Sequence, residues 1–451
     1  REPSRSHHKT GEPMLATKAY AAQSATQPLG PFEIERREPG ADDVLLDIKY
    51  CGICHSDLHQ ARNEWKNSVY PMVPGHEIVG VVKQVGANVK KFKAGDTVGI
   101  GCFVNSCRKC ESCRHGEEQY CHHTAFTYNS NDNGVITHGG YSTQITVDQN
   151  YLLKVAVDQP LDAVAPLLCA GITTYKPLKF WGAGPGKKVA VVGLGGLGHM
   201  AVKIAKAMGA EVTVLSRGEQ KRDAAKKLGA DDYVATEKAE NLGKVAEKFD
   251  LVVDTVSAEH DIDAILGTIK IGGVMVLVGV PPEGVKFNAH NIISKRRIFA
   301  GSMIGGIAET QEMLDFCAKH NVVADVETIK VQEVNEAYER MEKGDVRYRF
   351  GEVFFPNFKS IKAKSRPKSV SPTPGFLHPL FVEQALPTPI STAFEACNDA
   401  PDVLLTQGIE ASFQPSISTR NKKNKAESAR PTLRKSVRIC LAGFHRAFWK
   451  R

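Results

Sequence analysis

Several features that would place this chain in a class at once are missing. No run approaches the ~18 consecutive apolar residues of a membrane-spanning helix, which argues against a membrane protein. The opening residues, REPSRSHHKTGEP, lack the apolar stretch of a secretory leader. Met14 opens the strand-like MLATKAYAA and reads as the start of the folded protein, with residues 1–13 an upstream extension. A paired-cysteine framework is also missing. Eleven cysteines is an odd number, and four of them crowd into residues 107–121. That fits metal binding in a reducing compartment, with the cytoplasm as the default, better than a disulfide scaffold. Finally, the part expected to fold has little excess charge. The net +8 comes from residues 357–451, which carry 16 Lys+Arg against 6 Asp+Glu, and residues 1–13 add +1. Residues 14–356 are therefore at −3, and a nucleic-acid or membrane partner is not expected for them.

What is present divides by texture. Residues 14–169 are short β-branched segments broken by Gly and Pro, such as DDVLLDIKY, IVGVVKQVG, GDTVGIG and GGYSTQITV, which predict a strand-rich domain. Over 170–303 strand-like KKVAVVGLGG, EVTVLS, DDYVAT, FDLVVDTV, GGVMVLVG and RRIFAGSM alternate with stretches of helical spacing, among them LGHMAVKIAKAMG and EQKRDAAKKLG. This alternation predicts an α/β region with a parallel, doubly wound sheet. Two further helices, ETQEMLDFCAKH and VNEAYERMEKG, and a last strand, RYRFGEVFF, fill 304–356. Residues 357–451 are rich in Pro, Ser and Lys without sustained period and read as a disordered basic tail, with a helical end possible at ICLAGFHRAFWKR.

GLGGLG at 193–198 follows a strand and opens a helix, the context that makes G-x-G-x-x-G a dinucleotide turn. Gly193 makes the tight turn, Gly195 admits the pyrophosphate and Gly198 allows close helix packing, and Gly196 within the motif is also expected to bind the cofactor. The second strand ends in Ser216 and Arg217, with Lys221 a turn later. An NAD site wants an acidic residue there, whereas a hydroxyl and two cations suit the 2′-phosphate of NADP(H). Cys107, Cys110, Cys113 and Cys121, spaced C-x2-C-x2-C-x7-C, can close a tetrahedral Zn²⁺ site with no open position, hence a structural zinc; iron–sulfur ligation is the rival. A catalytic metal needs ligands with a gap. Cys51, Cys54, His55, His59, His76 and Cys169 are candidates that spacing alone does not separate.

CGICHSDLH, YPMVPGHEIVG, the four-cysteine lobe, APLLCAGITTY, GLGGLGHMAVKIAKAMGA and DVRYRF occur in this order and together resemble the zinc-dependent medium-chain alcohol dehydrogenases. More narrowly, they are similar to the cinnamyl-alcohol-dehydrogenase-like branch and its bacterial NADPH-dependent aldehyde reductases. The similarity runs from about Met14 to Phe350 and stops after RYRF, so residues 357–451 look like a fusion or a shifted reading frame.

The resemblance implies a GroES-like β-rich catalytic domain over 14–169 and 304–356, a Rossmann NADP-binding domain over 170–303, and a homodimer. It makes Cys54, His76 and Cys169 the catalytic zinc ligands, with Glu77 beside them, and so implies two Zn²⁺ per chain. Ser56 matches the hydroxyl that contacts the substrate oxygen, and His59 the outer end of a proton relay through the cofactor ribose. Thr173, Thr255, Gly279, Ser302 and Ile304 line the cofactor, while Trp65, Phe126, Met303 and Ile304 present apolar side chains to the substrate. Asp57 positions the loop or the ligands, His55 lies toward the cofactor phosphates, and Cys51 packs. Three protein ligands leave zinc one position at which to polarise a carbonyl oxygen, and two thiolates with a neutral imidazole leave that site formally neutral. The expected reaction is NADPH-dependent reduction of aromatic or medium-chain aldehydes, reversibly alcohol oxidation. The alternatives are an NAD-dependent polyol or secondary-alcohol dehydrogenase and a non-catalytic dinucleotide-binding relative.

Overall fold

The computed structural model describes residues 14–156, 158–281, 284–346 and 348–354, with 351–354 described by their backbone. The extension 1–13 and the tail 357–451, including ICLAGFHRAFWKR, lie outside the described residues.

Two sheets organise the chain. Six strands run parallel: Lys188–Val192, Glu211–Ser216, Asp232–Ala235, Phe249–Asp254, Ile269–Leu277 and Ile298–Gly301. Counted in chain order, they lie 3-2-1-4-5-6 across the sheet, so the order reverses beside the first strand and opens a crevice at its C-terminal end. After Lys188 the run Val189–Val192 is apolar throughout because both faces are covered. Val189 and Val191 pack with Met200, Ala201, Val212 and Leu178, while Ala190 and Val192 pack with Phe249, Leu266 and Met275 on the other side.

Helix Gly196–Ala207 follows the first strand and buries Met200, Ala201, Ile204 and Ala205 completely. Its lysines face elsewhere, with Lys203 Nζ donating to the Val323 carbonyl at 2.8 Å. The helix expected over EQKRDAAKKLG is shorter. Glu219–Lys221 form a 3₁₀ turn and only Arg222–Lys227 are α-helical, since Lys221 turns back to donate to the Leu194 carbonyl at 2.9 Å.

The second sheet is built on Asp43–Ile53, the longest strand among the described residues. It pairs antiparallel with Ile78–Val85, Gln144–Asp148 and, at its end, Arg349–Phe354. Val326–Lys330 runs parallel to that last strand, so the chain returns to its N-terminal sheet after the parallel one. Val44, Leu46, Ile48, Ile78, Val98, Ile145, Tyr338 and Phe350 form the core beneath it. The return places Phe350 opposite Ile53 and brings Arg349 to the point where the strand gives way to Cys54.

Candidate active site

Cys54 caps helix His55–Ala61 directly after the strand Asp43–Ile53. Its N–H donates to Asp57 Oδ2 at 2.9 Å, while Asp57 Oδ1 accepts from the Gly75 N–H at 3.0 Å and lies 3.1 Å from His76 Nδ1. One fully buried carboxylate therefore ties the cysteine loop to the histidine loop and leaves His76 Nε2 for the site. The ring of Tyr128 packs 5.7 Å from that of His76. Cys169 enters at the break between the 3₁₀ turn Ala165–Leu168 and helix Ala170–Phe180. The ligand atoms of Cys54, His76, Glu77 and Cys169 lie within 4.8 Å of one another, and all four residues are buried.

Charge at this cluster is shared by groups that face each other without water. Arg349 Nη1 donates to Glu77 Oε1 at 2.6 Å and to the Ile53 carbonyl at 3.2 Å. Burial pushes the Glu77 carboxyl up to about 8, against the pull of Arg349. Glu77 Oε2 is buried without a hydrogen-bond partner, an orphan that a cation would satisfy. The Cys54 thiol is held well below its ordinary range, first by its bond to Cys169 and then by Arg349 and His76. Two thiols, an imidazole with one free nitrogen and an unpartnered carboxylate oxygen form a donor set suited to Zn²⁺.

The second cluster is of a different make. Cys107, Cys110, Cys113 and Cys121 also bring their sulfurs within 4.8 Å of one another, but only Cys121 is buried. Cys113 stands 3.5 Å from Cys110 and 3.9 Å from Cys107, close to the ~3.8 Å edge of a tetrahedron with Zn–S bonds of ~2.3 Å. Main-chain N–H groups support the negative sulfurs. Cys110 N–H points at Cys107 Sγ (3.3 Å), and the N–H groups of Cys107 and His123 at Cys121 Sγ (3.4 and 3.3 Å). The N–H groups of Lys109 and Cys110 lower the Cys107 thiol to about 6. This set fits a closed structural Zn²⁺.

At the parallel sheet, Gly193 has φ +86°, and a Cβ on Gly198 would lie 2.2 Å from the Gly193 carbonyl oxygen, so helix and turn meet backbone to backbone. A Cβ on Gly195 would meet nothing within 4 Å. That open face adjoins a twelve-residue helix whose N-cap makes no side-chain hydrogen bond, an arrangement ready for phosphate. Burial and the neighbouring Arg217 both lower the Lys221 ammonium, so two cations stand together beside the turn, next to Ser216 at the strand end. The residues present fit a dinucleotide carrying an extra phosphate. Thr255 packs against the turn through Val192, Gly279 lies against Val256, and the Ser302 N–H donates to the Leu277 carbonyl. Thr173 is nearly buried one turn beyond Cys169. Ile304 holds φ +32°, an unusual value for a β-branched residue.

Ser56 Oγ lies 3.6 Å from Cys54 Sγ, at the edge of the donor set. His59, one turn on, has Nδ1 2.5 Å from Glu64 Oε2 and its ring 5.6 Å from that of Trp65. His55 is exposed and its ring is 6.1 Å from that of His59. Trp65, Phe126 and Met303 are each about two-fifths exposed. Cys51 is completely buried, against Gly75 and Gly140.

Three residues of this neighbourhood escaped the sequence reading. Arg349 touches Glu77 on one side, and a Cβ on Gly196 would lie 2.8 Å from its Nε on the other, so it joins the buried donor set to the glycine turn. An arginine inside a run expected to pair within a sheet was the available signal. Cys102, whose thiol bonds to Cys169 and is lowered by it, sits in a plain β-rich stretch that gave no signal. Glu64, an exposed acid five residues after His59, gave none either.

The description "Alcohol dehydrogenase GroES-like domain" matches residues 40–157, and "Zinc-binding dehydrogenase" matches 196–319. The NADP-dependent alcohol dehydrogenase C 1 of Mycolicibacterium smegmatis is 56% identical over 340 residues, covering 75% of this chain and 97% of that protein. The aldehyde reductase YahK of Escherichia coli is 56% identical over 340 residues, covering 74% and 97%. Among solved structures, CAD from Helicobacter pylori complexed with NADP(H) is 43% identical, with a TM-score of 0.71 over 75% of this chain and 98% of that one.

Proposed function

This chain belongs to the zinc-dependent alcohol dehydrogenase family, and we propose that it works as an aldehyde reductase: a hydride passes from NADPH to the carbonyl carbon of an aldehyde, and in reverse from a primary alcohol to NADP⁺. The observation that carries this reading is Arg349, which links the buried Cys54–His76–Glu77–Cys169 set to the glycine turn. A metal and a dinucleotide held by the two would be neighbours. The working division is a catalytic region over 14–169 and 304–356 around a nucleotide region over 170–303, supported by the pairing of Arg349–Phe354 with Asp43–Ile53.

Bound zinc would polarise the carbonyl oxygen, and bound NADPH would carry the hydride. The chain's own residues do the rest. Cys54, His76 and Cys169 would hold a catalytic zinc, and Asp57 fixes the orientation of His76. Glu77 offers its unpartnered Oε2 to the same site. Ser56 is placed to give the product oxygen its proton, and His59, oriented by Glu64, is the solvent-side end of a relay that the cofactor ribose would bridge when bound. Arg217 and Lys221, with Ser216, select the 2′-phosphate. Trp65, Phe126, Met303 and Ile304 provide apolar surface for aromatic or medium-chain aldehydes.

We further infer a homodimer. Ile298–Gly301 is an edge strand, and Ile271, Val280, Ile293 and Ile298 near it are 41–76% exposed, an apolar edge that a second copy would cover. No helix among the described residues is long and apolar enough to cross a membrane. With nine described cysteines as free thiols, the proposed location is the cytoplasm.

Zinc content and cofactor consumption test the reading together. Two zinc ions per chain and faster loss of NADPH than of NADH across a panel of aldehydes are expected. One zinc per chain would overturn the two-site assignment, and a preference for NADH would overturn the roles of Ser216, Arg217 and Lys221.

A further inference from the structure

Strand Phe249–Asp254 delivers a fully buried Asp254 to the C-terminal end of the parallel sheet. Its Oδ1 accepts from the Val256 N–H at 3.1 Å, and its Oδ2 stands 2.8 Å from His260 Nε2. The other ring nitrogen, Nδ1, is 2.8 Å from the Ala258 carbonyl oxygen. A carbonyl oxygen only accepts, so Nδ1 must carry hydrogen. Nε2 and Oδ2 then need one proton between them, placed on the ring or on the carboxyl. Either placement leaves the pair with the same total charge. Removing that proton leaves one ring nitrogen bare, so a lone pair faces either the Asp254 carboxylate or the Ala258 carbonyl oxygen, and one of the two contacts that hold the ring turns repulsive.

The pair closes the loop Thr255–His260, which is wedged into the dinucleotide cradle. Thr255 N and Oγ1 both donate to the Val192 carbonyl, at 3.1 and 2.7 Å, one residue before Gly193. A Cβ on Gly193 would lie 2.8 Å from Val256 Cγ2, and one on Gly279 would lie 2.4 Å from the Val256 carbonyl oxygen. The Val280 N–H reaches Ser257 Oγ at 3.3 Å. The loop thus contacts the glycine turn on one side and the end of the next strand on the other.

We propose that Asp254 and His260 form a protonation-dependent latch that positions this loop as one wall of the NADPH site and frees it when the pair loses its shared proton. His260 is a positioning residue here, acting through Thr255 and Val256. The inference rests on the dinucleotide reading above. The bond to Asp254 raises His260 above its ordinary value, while burial opposes the rise. The charged groups acting on the ring are Asp254 at the strand end and Asp261 at the cap of the following helix. The strand end Val278–Val280 and the glycine turn Gly193–Gly198 bring none. A base raised in the folded state contributes while it is protonated and loses that contribution as pH climbs past the raised value. The latch is therefore closed below the ordinary imidazole value and opens as pH rises through the raised one.

The test follows NADPH fluorescence on binding and deuterium uptake in the peptide spanning 255–261, from about pH 6 to about pH 9. The wild type should lose about fivefold in NADPH affinity in a one-proton step, the low end for two coupled sites, with loop exchange rising over the same step. His260→Gln keeps a donor at the Nε2 position but cannot titrate. It should bind NADPH as the wild type does at about pH 6 and show neither step. His260→Ala should bind weakly and exchange fast at every pH. Identical pH profiles for the wild type and His260→Gln would overturn the latch, and so would a wild-type exchange step with no change in affinity. Failure to bind NADPH at any pH would overturn the dinucleotide reading, and the exchange profile would still decide the latch.

Discussion

The two donor clusters solve opposite problems. Cys107, Cys110, Cys113 and Cys121 come from one short loop, and three of the four are partly exposed. Four thiolates around Zn²⁺ leave excess negative charge, which water and the main-chain N–H groups of residues 107, 110 and 123 can bear. Cys54, His76, Glu77 and Cys169 come from three distant segments and are all buried, where an uncompensated charge is costly. Two thiolates and a neutral imidazole would cancel a bound Zn²⁺, and the remaining carboxylate is matched by Arg349 at 2.6 Å. Exposure permits a charged site assembled locally, whereas burial demands a neutral one assembled from afar.

Replacing one ligand in each cluster should separate the two most strongly. Cys54→Ser should lower kcat/KM by at least ~10³, since a Lewis acid supplies several kcal/mol of stabilisation, while thermal unfolding changes little and zinc falls from two per chain to one. Full activity in this variant would break the comparison at its base. Cys110→Ser should do the reverse. Zinc again falls to one, but the cost appears as stability, about 3 kcal/mol or a Tm lower by about 5–10 °C, with kcat of the folded fraction within about tenfold.

Arg349→Met probes neutrality directly. Leaving Glu77 buried without its cation should cost about 3–5 kcal/mol, readable by denaturant unfolding. Adding Glu77→Gln should recover part of that loss, as a double-mutant cycle would show. If the two losses simply add, the charge argument fails. The smallest effect is expected at the exposed end of the relay. Glu64→Gln removes a partly exposed partner of His59, and such pairs contribute little, so kcat should stay within about fivefold while zinc remains at two per chain.

The sequence by itself determined most of the larger elements and the motifs built from neighbouring residues, though not the 3₁₀ turn Glu219–Lys221 or the pairing of His59 with Glu64. β-Branched runs predicted the strands Met14–Ala21, Asp43–Ile53, Ile78–Val85, Thr97–Ile100 and Gln144–Asp148 but not Gly30–Arg37, and strand–helix alternation predicted the parallel sheet, because periodicity reports which face is buried. The glycine turn and the C-x2-C-x2-C-x7-C lobe were legible for a similar reason: their atoms meet through a few residues of backbone, so spacing carries the geometry. Spacing could not separate Cys54 from Cys51, and resemblance to a family made that choice. Only the tertiary structure decided what crosses between segments. It set Asp57 between Cys54 and His76, returned a strand from residue 349 to pair beside Ile53, and so put Arg349 on Glu77. It likewise folded the loop after Asp254 back until His260 met that buried carboxylate. Such partners lie at separations that no periodicity encodes. Their pairing is imposed by the need to satisfy charge and hydrogen bonds once the sheets have closed over them.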